Sequence, residues 1–317
     1  MANNTTSIVR ILPDFEMFWK RRRKDVKSLN IPNLTNERWV IAADYCLNDK
    51  GKPYQSIAFT VFPYLQPYQM DEDMKRYLPQ DIKHTTKLTP KMINFLKNNQ
   101  WFYSIVFMFK DINEFDEKTI SETFCKWTTF DSVVENKEKY KELFKFSEYC
   151  KRKNINDKLI KNLFFIVGLF SLIAEFLVIK ENAKDIVICS DRDAITEFSD
   201  GIFYQLLDYE LSYKVKSRKK TLLTLMLPNE KTNKFEFDSY IRVPDYFAGA
   251  TASFNLDEFT VDKDKHKEIL LEVLKNNDKV ILYKVDVQNN QITYSHILLD
   301  KLTENQIKVN NNLIKGK

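Results

Sequence analysis

Seventeen consecutive positions, residues 163–179, read L-F-F-I-V-G-L-F-S-L-I-A-E-F-L-V-I and carry a single charge, Glu175. Only a bilayer or a protein core can accommodate such a run. As a helix it rises about 26 Å, just short of a typical hydrocarbon core. Glu175 would cost roughly 2.5–3.5 kcal/mol near a bilayer centre. Lys158, Lys161 and Lys180 flank both ends, so charge gives little orientation. A buried central helix is therefore the expectation, with a membrane span as the alternative. Glu175 is read as a helix-end acid near solvent, with an inward-pointing role as the second option.

A core helix of that size needs a large partner surface. The 317-residue chain is 44% hydrophobic and 14% aromatic, which supports a sizeable core, and its five glycines suit long helices better than a loop-rich all-β fold. The helix leads into D-I-V-I-C-S-D-R-D at 185–193. Residues 186–189 form a short β-branched run that reads as a buried strand. It ends in Asp191 and Asp193, which share a face if the strand continues. The carboxyl ends of strands in α/β sheets are where ligands usually bind. Each acid also has a plainer reading, as a cap for whatever helix follows.

Other elements follow in order. Residues 39–45 and 55–64 read as strands joined by the N-D-K-G turn at 48–51, a hairpin whose first strand ends at Asp44 beside Ala42 and Ala43. Thr89 and Pro90 start a short helix. Residues 101–109 form a third strand, and residues 112–152 have a helical pattern that covers one sheet face. Residues 194–213 are amphipathic, and 221–227 form a further strand. Pro244 opens a helix whose first turn holds Asp245, with Ala248, Gly249, Ala250 and Ala252 as a small-residue face able to approach a strand closely. A helix over 266–276, a hairpin over 279–302 and an exposed tail over 303–317 complete the chain. The division reads as a basic segment (1–36), a main domain (37–260) and a C-terminal helix-and-hairpin extension (261–317).

The net charge is +5, mildly basic and too weak to argue for nucleic acid alone. Two runs concentrate it. Arg21, Arg22 and Arg23 lie in one, and Lys216, Arg218, Lys219 and Lys220 in the other; both read first as solvated surface and second as phosphate contacts. Cys46, Cys125, Cys150 and Cys189 lack C-x-x-C spacing and there are three histidines, so an ordinary zinc site is not expected. No secretory signal is evident at the N-terminus, and a cytoplasmic protein is the simplest reading.

The strand-end acid Asp44, the strand-end acids Asp191 and Asp193, and the helix acid Asp245 fall in the order of an RNase H-like fold, a mixed β-sheet flanked by helices. The chain resembles that fold over about residues 40–255, with a helical insertion and a C-terminal hairpin extension. It is most similar to an uncharacterised bacterial family with D-E-S-G and Q-x-A-D-x-x-A-G type motifs. Residues 190–193, S-D-R-D, match the middle motif, and 243–250, V-P-D-Y-F-A-G-A, match the closing one. The first motif departs, since Tyr45 and Cys46 follow Asp44 where the family has Glu-Ser-Gly; Glu175 or Asp193 would have to replace the missing acid. The resemblance implies a metal-dependent nuclease, of the kind found near mobile elements and phage-defence loci. Asp44, Asp191 and Asp245 would hold Mg²⁺ or Mn²⁺, with Asp193 as a further ligand or orienter. Nucleic acid is the implied partner, with no membrane, and a protein partner or homo-oligomer is a further option. The alternative is a catalytically silent interaction or sensor subunit of the same fold.

Overall fold

β1 (Arg38–Cys46) and β2 (Gln55–Pro63) form the expected antiparallel hairpin, with Asp44 opposite Ala58. Its turn is closed by the Lys52 amide donating to the Asp49 carbonyl at 3.0 Å and the Gly51 amide donating to Asp49 Oδ1 at 2.9 Å. The computed structural model describes residues 19, 37–47, 49–110, 112, 117–152, 156–190, 195, 202–214, 222–225, 238–288 and 291–310. β3 (Tyr103–Phe109) runs antiparallel to β2; β4 (Asp185–Ser190) and β5 (Leu222–Leu225) run parallel to β1. β7 (Val280–Gln288) adds parallel to β3, and β8 (Gln291–His296) closes a hairpin on β7. The result is an α/β protein on a seven-stranded mixed sheet, ordered β5-β4-β1-β2-β3-β7-β8, with helices on both faces. Its central strands read as near-continuous apolar runs because both faces are covered.

Alternation sorts the strands between two cores. Trp39, Ile41 and Ala43 face one, and Val40 and Ala42 face the other. The first core is covered by α3 (Glu117–Trp127), α4 (Asp131–Val134), α5 (Lys141–Cys150), α6 (Asp157–Glu181) and α7 (Ile202–Lys214). The second is covered by α1 (Pro67–Tyr77), α2 (Pro90–Asn98), α8 (Arg242–Ala252) and α9 (Asp264–Glu268), the last continuing as a π-helical turn, Ile269–Leu274. α1 was not anticipated from the sequence. α2 begins as expected, Thr89 Oγ1 accepting from the Met92 amide at 3.3 Å and Pro90 sitting at the first turn.

α6 is the long apolar helix, extended at both ends beyond the apolar run. It is long and apolar enough to cross a membrane, yet its most apolar stretch is 83% buried within the protein. Its ring contacts are intimate: Phe170 meets Phe59 edge-on at 4.7 Å, and Phe176 meets Trp19 at 5.2 Å. Asn156 caps its start, and Asn182 ends it at φ 57°, a left-handed position that asparagine tolerates. Glu175 is buried, not solvent-facing as the sequence suggests. Trp19, the one described residue of the first 36, is docked: its Nε1 donates to Glu181 Oε1 at 2.6 Å.

Residues 262–288 are integral to the sheet and to the second core, through β7 and through Ile269, Leu270, Val273 and Leu274. The expected exposed tail is instead partly docked. β9 (Lys308–Val309) pairs in parallel with β6 (Thr260–Val261), and Ile307 is 1% exposed. Ile307 and Val309 supply the apolar anchors that the polar composition of that stretch conceals, packed in the same core as Leu299 and Leu302 before it.

Candidate functional site

Asp44 lies near the carboxyl end of β1, a buried carboxylate. Successive strand residues point to opposite faces, so it shares the face of Val40 and Ala42, against which α8 packs. At the same end, on the opposite face, the Tyr45 hydroxyl and Ser190 Oγ are hydrogen-bonded at 2.6 Å. This ties the end of β1 to the end of β4, one residue before Asp191 in sequence. α8 is anchored there too: Ser56 Oγ and Thr251 Oγ1 bond at 2.7 Å, and the Ala252 carbonyl accepts from the Tyr54 amide at 3.2 Å.

Asp245 stands in the first turn of α8, as expected. Val243, Phe247, Ala248, Ala250 and Ala252 are buried, whereas Arg242, Asp245 and Gly249 form the less buried strip of the helix. That strip meets the 3₁₀ turn Ile82–His84. Asp245 Oδ2 accepts from the Ile82 amide at 2.5 Å, and a Cβ on Gly249 would fall 3.0 Å from Ile82 Cγ2. Glycine is thus what allows the turn to sit against the helix, and the small-residue face divides: the alanines approach the sheet and Gly249 approaches the turn. Asp245→Ala is expected to cost about 1.5–3 kcal/mol by leaving the Ile82 amide without its charged acceptor. Asp245→Asn retains an acceptor oxygen and should cost clearly less; urea midpoints of the two variants check this.

A second set of charged groups, not anticipated from the sequence, adjoins these acids. Lys52 Nζ, from the β1–β2 turn, is 2.6 Å from Asp262 Oδ2, and Asp262 Oδ1 pairs with His266 Nδ1. All three side chains are nearly enclosed, at 11%, 7% and 4% exposed respectively. Burial pulls the Asp262 carboxyl upward, but His266 and Lys52 more than reverse this and hold it below the carboxylate range. His266 is lowered, first by burial and also by the Lys52 and Lys265 charges, against its bond to Asp262. The ammonium of buried Lys265 donates to the Ile82 and Thr85 carbonyls, and burial lowers its pKa. The turn at 82–85 is therefore held from both sides, by Asp245 on an amide and by Lys265 on carbonyls. The sequence signal was the i,i+4 spacing of Asp262 and His266, notable in a chain with three histidines.

The Cys46 thiol lies on the same strand face as Asp44. Burial pushes it up to about 12; the Lys52 charge opposes this, and Asp49, Asp44 and Asp245 add to it. Such a thiol is no nucleophile at neutral pH. Asp44, by strand alternation, and Asp245, on the helix packed against Val40 and Ala42, lie on one side of the sheet. Asp191 and Asp193, like Arg21, Arg22, Arg23, Lys216, Arg218, Lys219 and Lys220, lie outside the described residues. Among the described residues, no three His, Cys, Asp or Glu side chains are grouped to hold a metal ion. Glu175 does not stand in for the missing first-motif acid. α6 covers the face opposite Asp44, and Glu175 lies toward the helix end that feeds the start of β4, whereas Asp44 is at the far end of β1.

No family model matches the chain, and no curated protein matches it either.

Proposed function

We propose that the chain is an RNase H-like, divalent-metal-dependent nuclease whose acid site is built on Asp44. The observation that carries this reading is the position of β1. It lies centrally, with the antiparallel β2 and β3 on one side and the parallel β4 and β5, reached through helices, on the other. Asp44 ends that strand on the face covered by α8, the helix that brings Asp245. Such an arrangement supports a mixed sheet with carboxylates from its first strand, a central strand and a late helix.

The donor set suits hard cations, which take carboxylate oxygens. Asp44 and Asp245 are two acids, and a metal pair needs more; Asp191, directly after Ser190, and Asp193 would supply them. When bound, Mg²⁺ or Mn²⁺ would activate water and stabilise the leaving oxygen of a phosphodiester. The basic runs would add salt-sensitive, sequence-independent phosphate contacts.

Mn²⁺ should raise the melting temperature, since a ligand specific to the folded state at a hundredfold its Kd adds about 2.7 kcal/mol. Asp44→Asn and Asp191→Asn should each abolish that shift, and cleavage of single- or double-stranded DNA, RNA or hybrids with it. Cleavage that survives both substitutions, or a metal shift indifferent to them, overturns the assignment. The second reading, a silent member of the fold, is favoured by one observation: two neighbouring acids already have protein partners, Asp245 on Ile82 and Asp262 on Lys52 and His266. A folded protein with neither metal shift nor cleavage is its signature.

A further inference from the structure

Between α1 and α2 lies a cleft of about 480 Å³, within the roughly 300–1,000 Å³ range of small-ligand sites. Its wall is aromatic: Tyr77 and Phe95 stack at 5.0 Å with 17° between their planes, and Trp101 lines the cleft beside them. Among the described residues Trp101 has no ring partner, and its indole Nε1 donates to no group. Cations stand at the same cleft. The Arg76 guanidinium lies 5.6 Å over the Tyr77 ring and Lys91 is exposed, and neither is ion-paired among the described residues. The opposing charge on the lining is Asp73, which accepts from Gln69 at 3.3 Å.

The remaining lining is amide. Asn94 Oδ1 accepts from Asn98 Nδ2 at 2.7 Å and Asn99 Oδ1 accepts from the Trp101 amide at 2.6 Å. The Asn94 and Asn99 Nδ2 donors and the Asn98 Oδ1 acceptor keep open capacity. Unpaired cations, a partnerless indole and open amide groups match the three parts of one ligand class. Phosphate takes the cations, a planar base takes the aromatic face, and the edge of that base takes paired donors and acceptors.

We infer that this cleft binds a nucleotide unit through its base and its phosphate, either as a free nucleoside monophosphate or as one residue of a single strand. The inference stands on the cleft alone and does not rest on the Asp44 site, so the two fail separately.

The test is a binding titration of the full-length protein in EDTA, which silences any metal-dependent cleavage. The probes are AMP, UMP, adenosine, and short DNA and RNA homo-oligonucleotides. Saturable binding is expected, with Trp101→Ala weakening it about tenfold, in line with the loss of one stacked base. Arg76→Ala, at an exposed position that does not threaten folding, should weaken AMP but leave adenosine unchanged. Urea midpoints equal to wild type certify each variant as folded. Tight oligonucleotide binding with weak mononucleotide binding assigns the cleft to a strand, and equal affinities assign it to a free nucleotide. Absence of binding to all probes, or binding indifferent to both substitutions, overturns the inference.

Discussion

Asp262→Ala is expected to destabilise the protein by roughly 3–5 kcal/mol, the range for removing one partner of a buried ion pair. The substitution strands two groups. Lys52 loses its 2.6 Å partner while 11% exposed, and His266, 4% exposed, loses the bond that fixes its Nδ1. The same cluster sets a pH dependence. His266 is lowered in the folded protein, so below about pH 6.5 the unfolded chain binds a proton that the folded chain resists, and stability falls as pH falls. Asp262 is lowered too; its contribution is complete above about pH 4 and is lost as pH drops through its folded value. Lys52 and Lys265 face the imidazole and deepen the first loss, because a second and third positive charge oppose its protonation. Urea midpoints between about pH 7.5 and 4.5 should show the earlier decline in the wild type. His266→Gln should flatten it. A wild-type midpoint constant across that window would show that the imidazole is not held neutral.

Phe170→Ala should cost about 3–5 kcal/mol, the expectation for truncating a large aromatic side chain in a tight core. Phe170 is fully buried, edge-on to Phe59 of β2 at 4.7 Å and to Phe203 of α7 at 5.7 Å. One ring therefore joins the sheet, the central helix and the helix after β4, and its loss opens a cavity that three elements cannot close together. The prediction also discriminates between the two homes for the apolar helix. A lipid-facing phenylalanine at that position would tolerate alanine with little change in the folding of the rest of the chain. Denaturant unfolding in detergent-free buffer, followed by tryptophan fluorescence from Trp39 and Trp19 beneath α6, gives the answer.

Much of the frame was legible because periodicity and punctuation agreed with one another. The two strands around the N-D-K-G turn, the Thr89–Pro90 start and the β4 run all fell within a residue or two of their places, each marked by a local steric or capping rule. α1 was hidden because its sequence, P-Y-Q-M-D-E-D-M-K-R-Y, buries little beyond Met70, Asp71 and Met74 and so carries a weak apolar stripe. The docked tail was hidden because its anchors, Ile307 and Val309, are two apolar residues in an otherwise polar stretch. At the site, the acids at strand and helix ends could be nominated from position, and Asp44 and Asp245 do lie on one side of the sheet. The Lys52–Asp262–His266 chain could not be read so, since its first and last members lie more than two hundred residues apart and meet only through the fold.

The order of strands has a consequence for how the molecule is made. β1 and β2 leave the ribosome early, yet β1 waits for β4 and β3 waits for β7, whose residues are translated far later. Until then the nascent hairpin exposes two apolar faces, one meant for α6 and one for α8. Sequence-distant pairings of this kind are reached slowly, and unsatisfied strand edges invite association in the interval. The sheet as a whole therefore closes only once β7 has emerged, and holdase chaperones should be found on ribosome-stalled chains ending before β7 but not on the released protein.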